Sequence, residues 1–276
     1  MDDGTGAAPQ LRRSGLGALL GLFVVLATAA VGAIVVGDAD PREWFRPRAY
    51  VEVEGRPIAV PDPAPSEGRL LPAVPVATDG SYAFLHTAPD GGPVGYDPCR
   101  AVRYVVNPAG MPDVGARLVD EAAAVVSAAS GLVLEDAGTT DEQPAVERAL
   151  IQPDRYGPGW APVLVAWSDE TRLPELAGEV AGVGGSAAVP GSDGTGQWLA
   201  AGRVVLDTAD IGAMLQRPGG EAQARAIVVH ELAHVLGLDH VDDPDELMYP
   251  INSTRADLGP GDRQGLALVG QVACED

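Results

Sequence analysis

The sequence predicts an α+β domain placed after an N-terminal membrane-spanning helix. Three observations point there: one long uncharged apolar run, a succession of strand-like and helix-like patterns toward the C-terminus, and one helix in which histidines cluster. From Leu16 to Val36 runs LGALLGLFVVLATAAVGAIVV without a charge. A helix rising about 1.5 Å per residue needs about 20 residues to cross a hydrocarbon core of about 30 Å. Residues 16–37 therefore read as a transmembrane span or signal anchor behind a short tail at 1–15. A cleaved signal peptide competes with this reading, because Ala27-Thr28-Ala29 fits a small-residue cleavage site. The apolar run is longer than the roughly 7–15 residues of a signal's apolar region, which favours the anchor. Arg12 and Arg13 lie closer to the run than Arg42, Arg46 and Arg48 on the other flank. That asymmetry favours an inside tail and a C-terminal part outside the cell.

Residues 38–98 are rich in proline and glycine, as in VPDPAPSEGRLLPAVP, with short strand-like pieces such as Tyr50 to Val53. They read as a linker, and a compact domain is expected over 99–276. Within it Ala101 to Val106 reads as a strand and Val114 to Ala129 as an amphipathic helix. Leu132 to Leu134, Val163 to Trp167 and Arg203 to Leu206 are further strands, bounded by turn residues. A second helix spans Glu221 to Leu236 after Pro218-Gly219-Gly220, and a short third one spans Asp262 to Val269. Strands interleaved with helices in this order make an α+β fold.

Composition narrows the function. At 276 residues with 46% hydrophobic content the chain can bury a sizeable core. The formal charge of −21 comes from 39 acids against 18 bases, every one of them arginine. Such a surface repels phosphate, so no nucleic-acid partner is expected.

Three of the 4 histidines fall in HELAHVLGLDH, His230 to His240. His230 and His234 stand one helical turn apart on one face, where both imidazoles reach one ion. Gly237 follows the last turn and accommodates the left-handed conformation that reverses the chain, returning His240 as a third ligand. Three neutral imidazoles leave one tetrahedral position of a zinc ion open to water, the coordination of a catalytic site. Zinc lowers the pKa of that water to about 7. Glu231, about 100° around the helix from His230, is placed to accept the proton and return it to a leaving amine. The expected reaction is hydrolysis of a peptide bond.

The string His230-Glu231-x-x-His234-x-x-Gly237-x-x-His240 resembles the zinc signature of the metzincin peptidases, and Met248 in ELMYP resembles the methionine of their Met-turn. GLDH, LMYP and LGPGDRQGLALV are most similar to the matrixin subgroup. The resemblance implies a twisted, mostly parallel sheet, an active-site helix, a Met-turn and a C-terminal helix. It also implies a substrate peptide laid along an edge strand, which falls here at Val183 to Val189, with Gly184, Gly185, Ser186 and Ala187 small enough for close backbone approach. Matrixins of vertebrate type hold a second, structural zinc, but His86 alone remains for it here, so one zinc is expected. The linker lacks the cysteine of their latency switch, and Pro250-Ile251-Asn252 replaces the usual Pro-x-Tyr of the specificity-pocket wall. Calcium has no matching motif; Asp169, Glu170 and Asp193 are the acids nearest to one.

Cys99 and Cys274 are the 2 cysteines, an even pair that invites a disulfide in an exported domain. The chain thus reads as a zinc endopeptidase at the cell membrane, acting outside on peptide or protein substrates. Secretion after signal cleavage is the alternative placement, and a binding module on the same fold without turnover is the alternative function.

Overall fold

The computed structural model describes residues 47–276, apart from 54, 77, 78, 252–254 and 276. The apolar run at 16–37 lies outside the described residues, and no described helix is long and apolar enough to cross a membrane. A hairpin comes first, β1 (Tyr50–Val53) against β2 (Arg56–Ala59), followed by the short β3 (Ala83–Phe84). Then come β4 (Val102–Val106), helix α1 (Gly115–Ser130), β5 (Leu134–Thr139), the single turn α2 (Pro153–Tyr156), β6 (Val163–Ser168), β7 (Gly182–Pro190) and β8 (Gln197–Asp207). Helices α3 (Thr208–Leu215) and α4 (Gly220–Leu236), the two-residue β9 (Leu238–Asp239) and helix α5 (Pro260–Val269) complete the chain.

Five strands form one sheet in the order β5-β4-β6-β8-β7, parallel throughout except for β7, which runs antiparallel to β8 at the edge. The mostly parallel α+β architecture agrees with the sequence reading. Every residue of central β6 is buried, and its side chains alternate between two cores. Val163, Val165 and Trp167 enter the large core shared with α1 and α4, whereas Leu164 and Ala166 face the other side with Val105. Helix α1 buries Leu118, Val119, Ala122, Ala123 and Val126, the spacing of one helical face, and ends at Gly131 with φ 71°. Helix α4 is apolar around most of its circumference, because it packs on the sheet and on α1, α3 and α5 at once.

The expected boundary at Cys99 is corrected: the compact unit runs from Arg48 to Asp276. Residues 48–98 lie on the domain through backbone contacts and isolated apolar anchors, which leave no periodic signal. Val53, Val60 and Val94 are buried, and Gly80 packs against Gly261 so closely that a Cβ would overlap its backbone. Strand β3 pairs with β9, Ala83 opposite Asp239 and Phe84 opposite Leu238. Two smaller corrections follow. The strand expected at Leu132 begins at Leu134, and α3 was not expected, its short apolar stretch being too brief to show a period. Cys99 and Cys274 form a disulfide with Cα atoms 5.6 Å apart, closing a separation of 175 residues. In the chain-entropy model such a closure stabilises by at most about 5 kcal/mol.

The long connection from β5 to β6 is held by a buried ion pair. Arg148 donates to both carboxylate oxygens of Glu142 at 2.7 and 2.9 Å, and Gln152 and the Tyr156 hydroxyl donate to the same carboxylate at 2.7 Å each. Burial pushes the Glu142 carboxyl up, but these donors outweigh it and hold the group below its ordinary value. A carboxyl depressed in the folded state contributes stability above its unfolded pKa, and that contribution is lost as pH falls through the folded value. Glu142→Gln should destabilise the protein at pH 7 by about 3–5 kcal/mol, the cost of leaving a buried arginine unpaired. Urea unfolding should show this gap narrowing once pH drops below about 4.5.

Candidate active site

Helix α4 carries His230 and His234, and Gly237 ends it with φ 115°, its N–H bonded to the carbonyls of Ala233 and His234. A side chain at Gly237 would press on the Val94 carbonyl at 2.9 Å, so the turn needs glycine for conformation and for space. The reversed chain runs through β9 to His240, and β3 holds β9 in place. The segment read as a linker thereby fixes the third histidine.

The three Nε2 atoms stand 3.1 Å from one another in all three pairs. His230 Nδ1 lies 2.8 Å from the Leu247 carbonyl and His234 Nδ1 lies 2.8 Å from that of Leu238. A carbonyl accepts, so both Nδ1 atoms carry the proton and both Nε2 atoms present bare lone pairs. Converging lone pairs repel unless a cation lies among them. Tetrahedral imidazole ligands about 2.0–2.1 Å from zinc sit roughly 3.3 Å apart, within a few tenths of the observed triangle. The donor set fits one zinc ion. Burial drives the His230 pKa down to about 3 and that of His234 to about 4, and lowers that of His240, keeping the rings neutral as ligands require.

Glu231 is 6% exposed and lines the cleft of about 720 Å³ that also contains the three histidines. Burial pushes its carboxyl up to about 8, and no charged or hydrogen-bonding group among the described residues offsets this. Its neighbours are glycines. A Cβ at Gly182 would sit 2.9 Å from the Glu231 Cγ, and one at Gly184 would overlap the Glu231 backbone. Strand β7 thus lies directly against α4 because alternate positions lack side chains.

This corrects the reason expected for the small residues at Gly184, Gly185, Ser186 and Ala187. Gly184 and Ser186 face the helix, Gly185 meets nothing within 4 Å, and Ala187 packs with the opposite core. Ser186 Oγ donates to the Val235 carbonyl at 2.8 Å, and the Tyr96 hydroxyl donates to Ser186 Oγ at 2.8 Å. Gly202 N–H donates to the Tyr96 oxygen at 3.3 Å. Opposite Ser186, strand β8 places two residues, Ala201 and Gly202, a bulge of one extra residue with Ala201 at φ 50°. Arg148 donates to both bulge carbonyls at 3.1 and 3.0 Å. Tyr96, Arg148 and the bulge thus fix the edge strand to the active-site helix, and no spacing in the sequence marked them.

Met248 is 1% exposed in the large core, and its carbonyl accepts from Val241 N–H at 3.1 Å. Its loop is tied to α5 by two buried acids. Asp262 accepts from the N–H groups of Leu247, Met248 and Gly259, while Glu246 accepts from those of Gly261 and Asp262. Pro250 and Ile251 line the cleft, and Asn252 lies outside the described residues. His86 stands apart from the triad. Asp169 and Asp193 each hold their own turn by accepting from Thr171 and Thr195.

Residues 178–268 match the family model of peptidase M10, matrixin. The matched segment runs from just before β7 into α5 and contains the three histidines, Glu231 and Met248. This part of the chain is matrixin-like, and the match supports a zinc metallopeptidase, a hydrolase. Among solved structures it is similar to the crystal structure of archaemetzincin from Methanopyrus kandleri, at 16% identity over 59% of this chain and 88% of that one, with a TM-score of 0.36. No curated protein matches the chain.

Two outcomes are expected. Metal analysis of purified protein should find one zinc per chain, and His234→Ala should weaken zinc binding beyond the 10–100-fold typical of losing a ligand's hydrogen-bond partner. Tyr96→Phe, which removes the acceptor of the Gly202 N–H and the donor to Ser186 Oγ, should lower unfolding stability by about 1–3 kcal/mol while zinc content stays constant.

Proposed function

We propose that the protein is a membrane-anchored zinc endopeptidase in which Glu231 is the general base and the edge of β7 receives the substrate. The observation that carries the reading is the Glu231 carboxyl, buried without a partner among the described residues in the same cleft as three converging imidazoles. A structural metal site has no use for such an acid, and an unpaired buried carboxyl persists in a fold only at a cost. When bound, zinc supplies an acidified water and a positive charge that polarises a carbonyl. Glu231 accepts the proton of that water and delivers it to the leaving amine, a task suited to a carboxyl with its pKa raised toward neutrality. Strand β7, at the sheet edge and antiparallel to β8, offers main-chain groups for an added substrate strand. The disulfide suits an oxidising compartment, and Leu16 to Val36 is long enough to hold the chain in the membrane. The disulfide supports a placement outside the cell, and the apolar run supports the anchor.

Glu231→Ala tests the base. Alanine favours helix and leaves all three ligands in place, so fold and zinc content should persist. Hydrolysis of a quenched-fluorescent peptide library should fall by about 10²–10⁴-fold. Wild-type turnover in the variant, or none in zinc-loaded wild type, would favour the non-catalytic binding module.

A further inference from the structure

Beyond His230 the cleft extends along one face of α4 toward the helix N-terminus, over Ile227, Ala226 and Gln223. The spacing places these side chains in line with His230, and Ala226 keeps the floor low. Leu247 adds another apolar wall. Arg217, which immediately precedes the turn into α4, lines the cleft and is exposed, and Arg255 lines the same space. In a chain with 39 acids against 18 bases, most described arginines that face an acid are paired, as Arg117 with Glu221, Arg203 with Glu175 and Arg225 with Asp257. Arg217 has no carboxylate partner among the described residues, although it lies beside the α4 end that carries Glu221. Glu175 and Glu179 line the cleft as well, Glu175 being paired with Arg203. The cleft therefore combines apolar lining beside the triad with an exposed cation, Arg217.

We infer that this pocket selects a substrate side chain with an apolar stem and a terminal carboxylate, glutamate above all, and that Arg217 is the specificity-determining residue. The inference rests on the peptidase reading. Glutamate supplies two methylenes for the apolar floor and a carboxylate for the guanidinium. Because the pair is solvent-exposed, its selectivity should be modest and sensitive to salt.

The test compares C-terminally amidated quenched peptides that differ by Glu, Gln or Asp at each position flanking the cleaved bond. At one position kcat/KM should favour Glu over Gln by about fivefold at low salt, with the ratio shrinking at high salt. Arg217→Gln should bring that ratio to about 1, and Arg217→Glu should invert it toward a Lys peptide. Binding of the same peptides to zinc-loaded Glu231→Ala, read by fluorescence anisotropy, should show the same preference. Efficient cleavage with no Glu preference at any position would overturn the pocket and leave the peptidase standing. No cleavage with a Glu preference kept in binding would overturn the peptidase and leave the pocket standing. A preference that appears only with a free C-terminus would overturn the side-chain assignment in favour of a terminal carboxylate.

Discussion

Three imidazole nitrogens held 3.1 Å apart, with their lone pairs converging, are the constraint to which the surrounding structure answers. Without a cation the arrangement is repulsive, so something must impose it. Helix periodicity fixes His230 and His234, and a glycine turn with φ 115° brings His240 back. Backbone carbonyls of Leu247 and Leu238 set the ring tautomers from behind. Each of these supports is itself held: Leu247 by the Asp262 carboxylate on its N–H, and Leu238 by pairing with Phe84. The site is therefore as rigid as the contacts behind it, and those reach into α5 and into the segment before Cys99.

A second consequence concerns the edge strand. For Glu231 to be both buried and beside the triad, β7 must press on α4, which is possible because Gly182 and Gly184 present no side chains there. The bulge at Ala201 and Gly202 then turns the strand end, and its polar groups are satisfied by Arg148 and Tyr96. Arg148 is itself paired with Glu142. One buried ion pair thus fixes the long β5 to β6 connection and the geometry of the strand proposed to receive substrate.

Much of this was legible in the residues. The metal ligands, Glu231, Gly237 and Met248 lie in one contiguous stretch whose spacing converts directly into helix and turn geometry. The strands at Val102–Val106 and Val163–Ser168 and the helices at Gly115–Ser130 and Gly220–Leu236 carry strong apolar patterns, so their positions were read within a residue or two. What stayed hidden depends on contacts distant in sequence. Residues 48–98 adhere through glycine backbone approach and single valines, which resemble a linker in composition. Tyr96 acts on Ser186 and Gly202, and Arg148 on Ala201 and Gly202. Such pairings follow from topology and have no local motif. Gly184 was read as a substrate-side residue because its smallness was visible while the face it presents was not.

The geometry implies that three imidazoles hold one zinc with one position left open. Zinc K-edge X-ray absorption on the purified, metal-loaded protein measures this most directly. Three imidazole nitrogens at about 2.0–2.1 Å and one further light oxygen donor at about the same distance are expected. A sulfur donor, or a fourth protein side chain closing the shell, would contradict it.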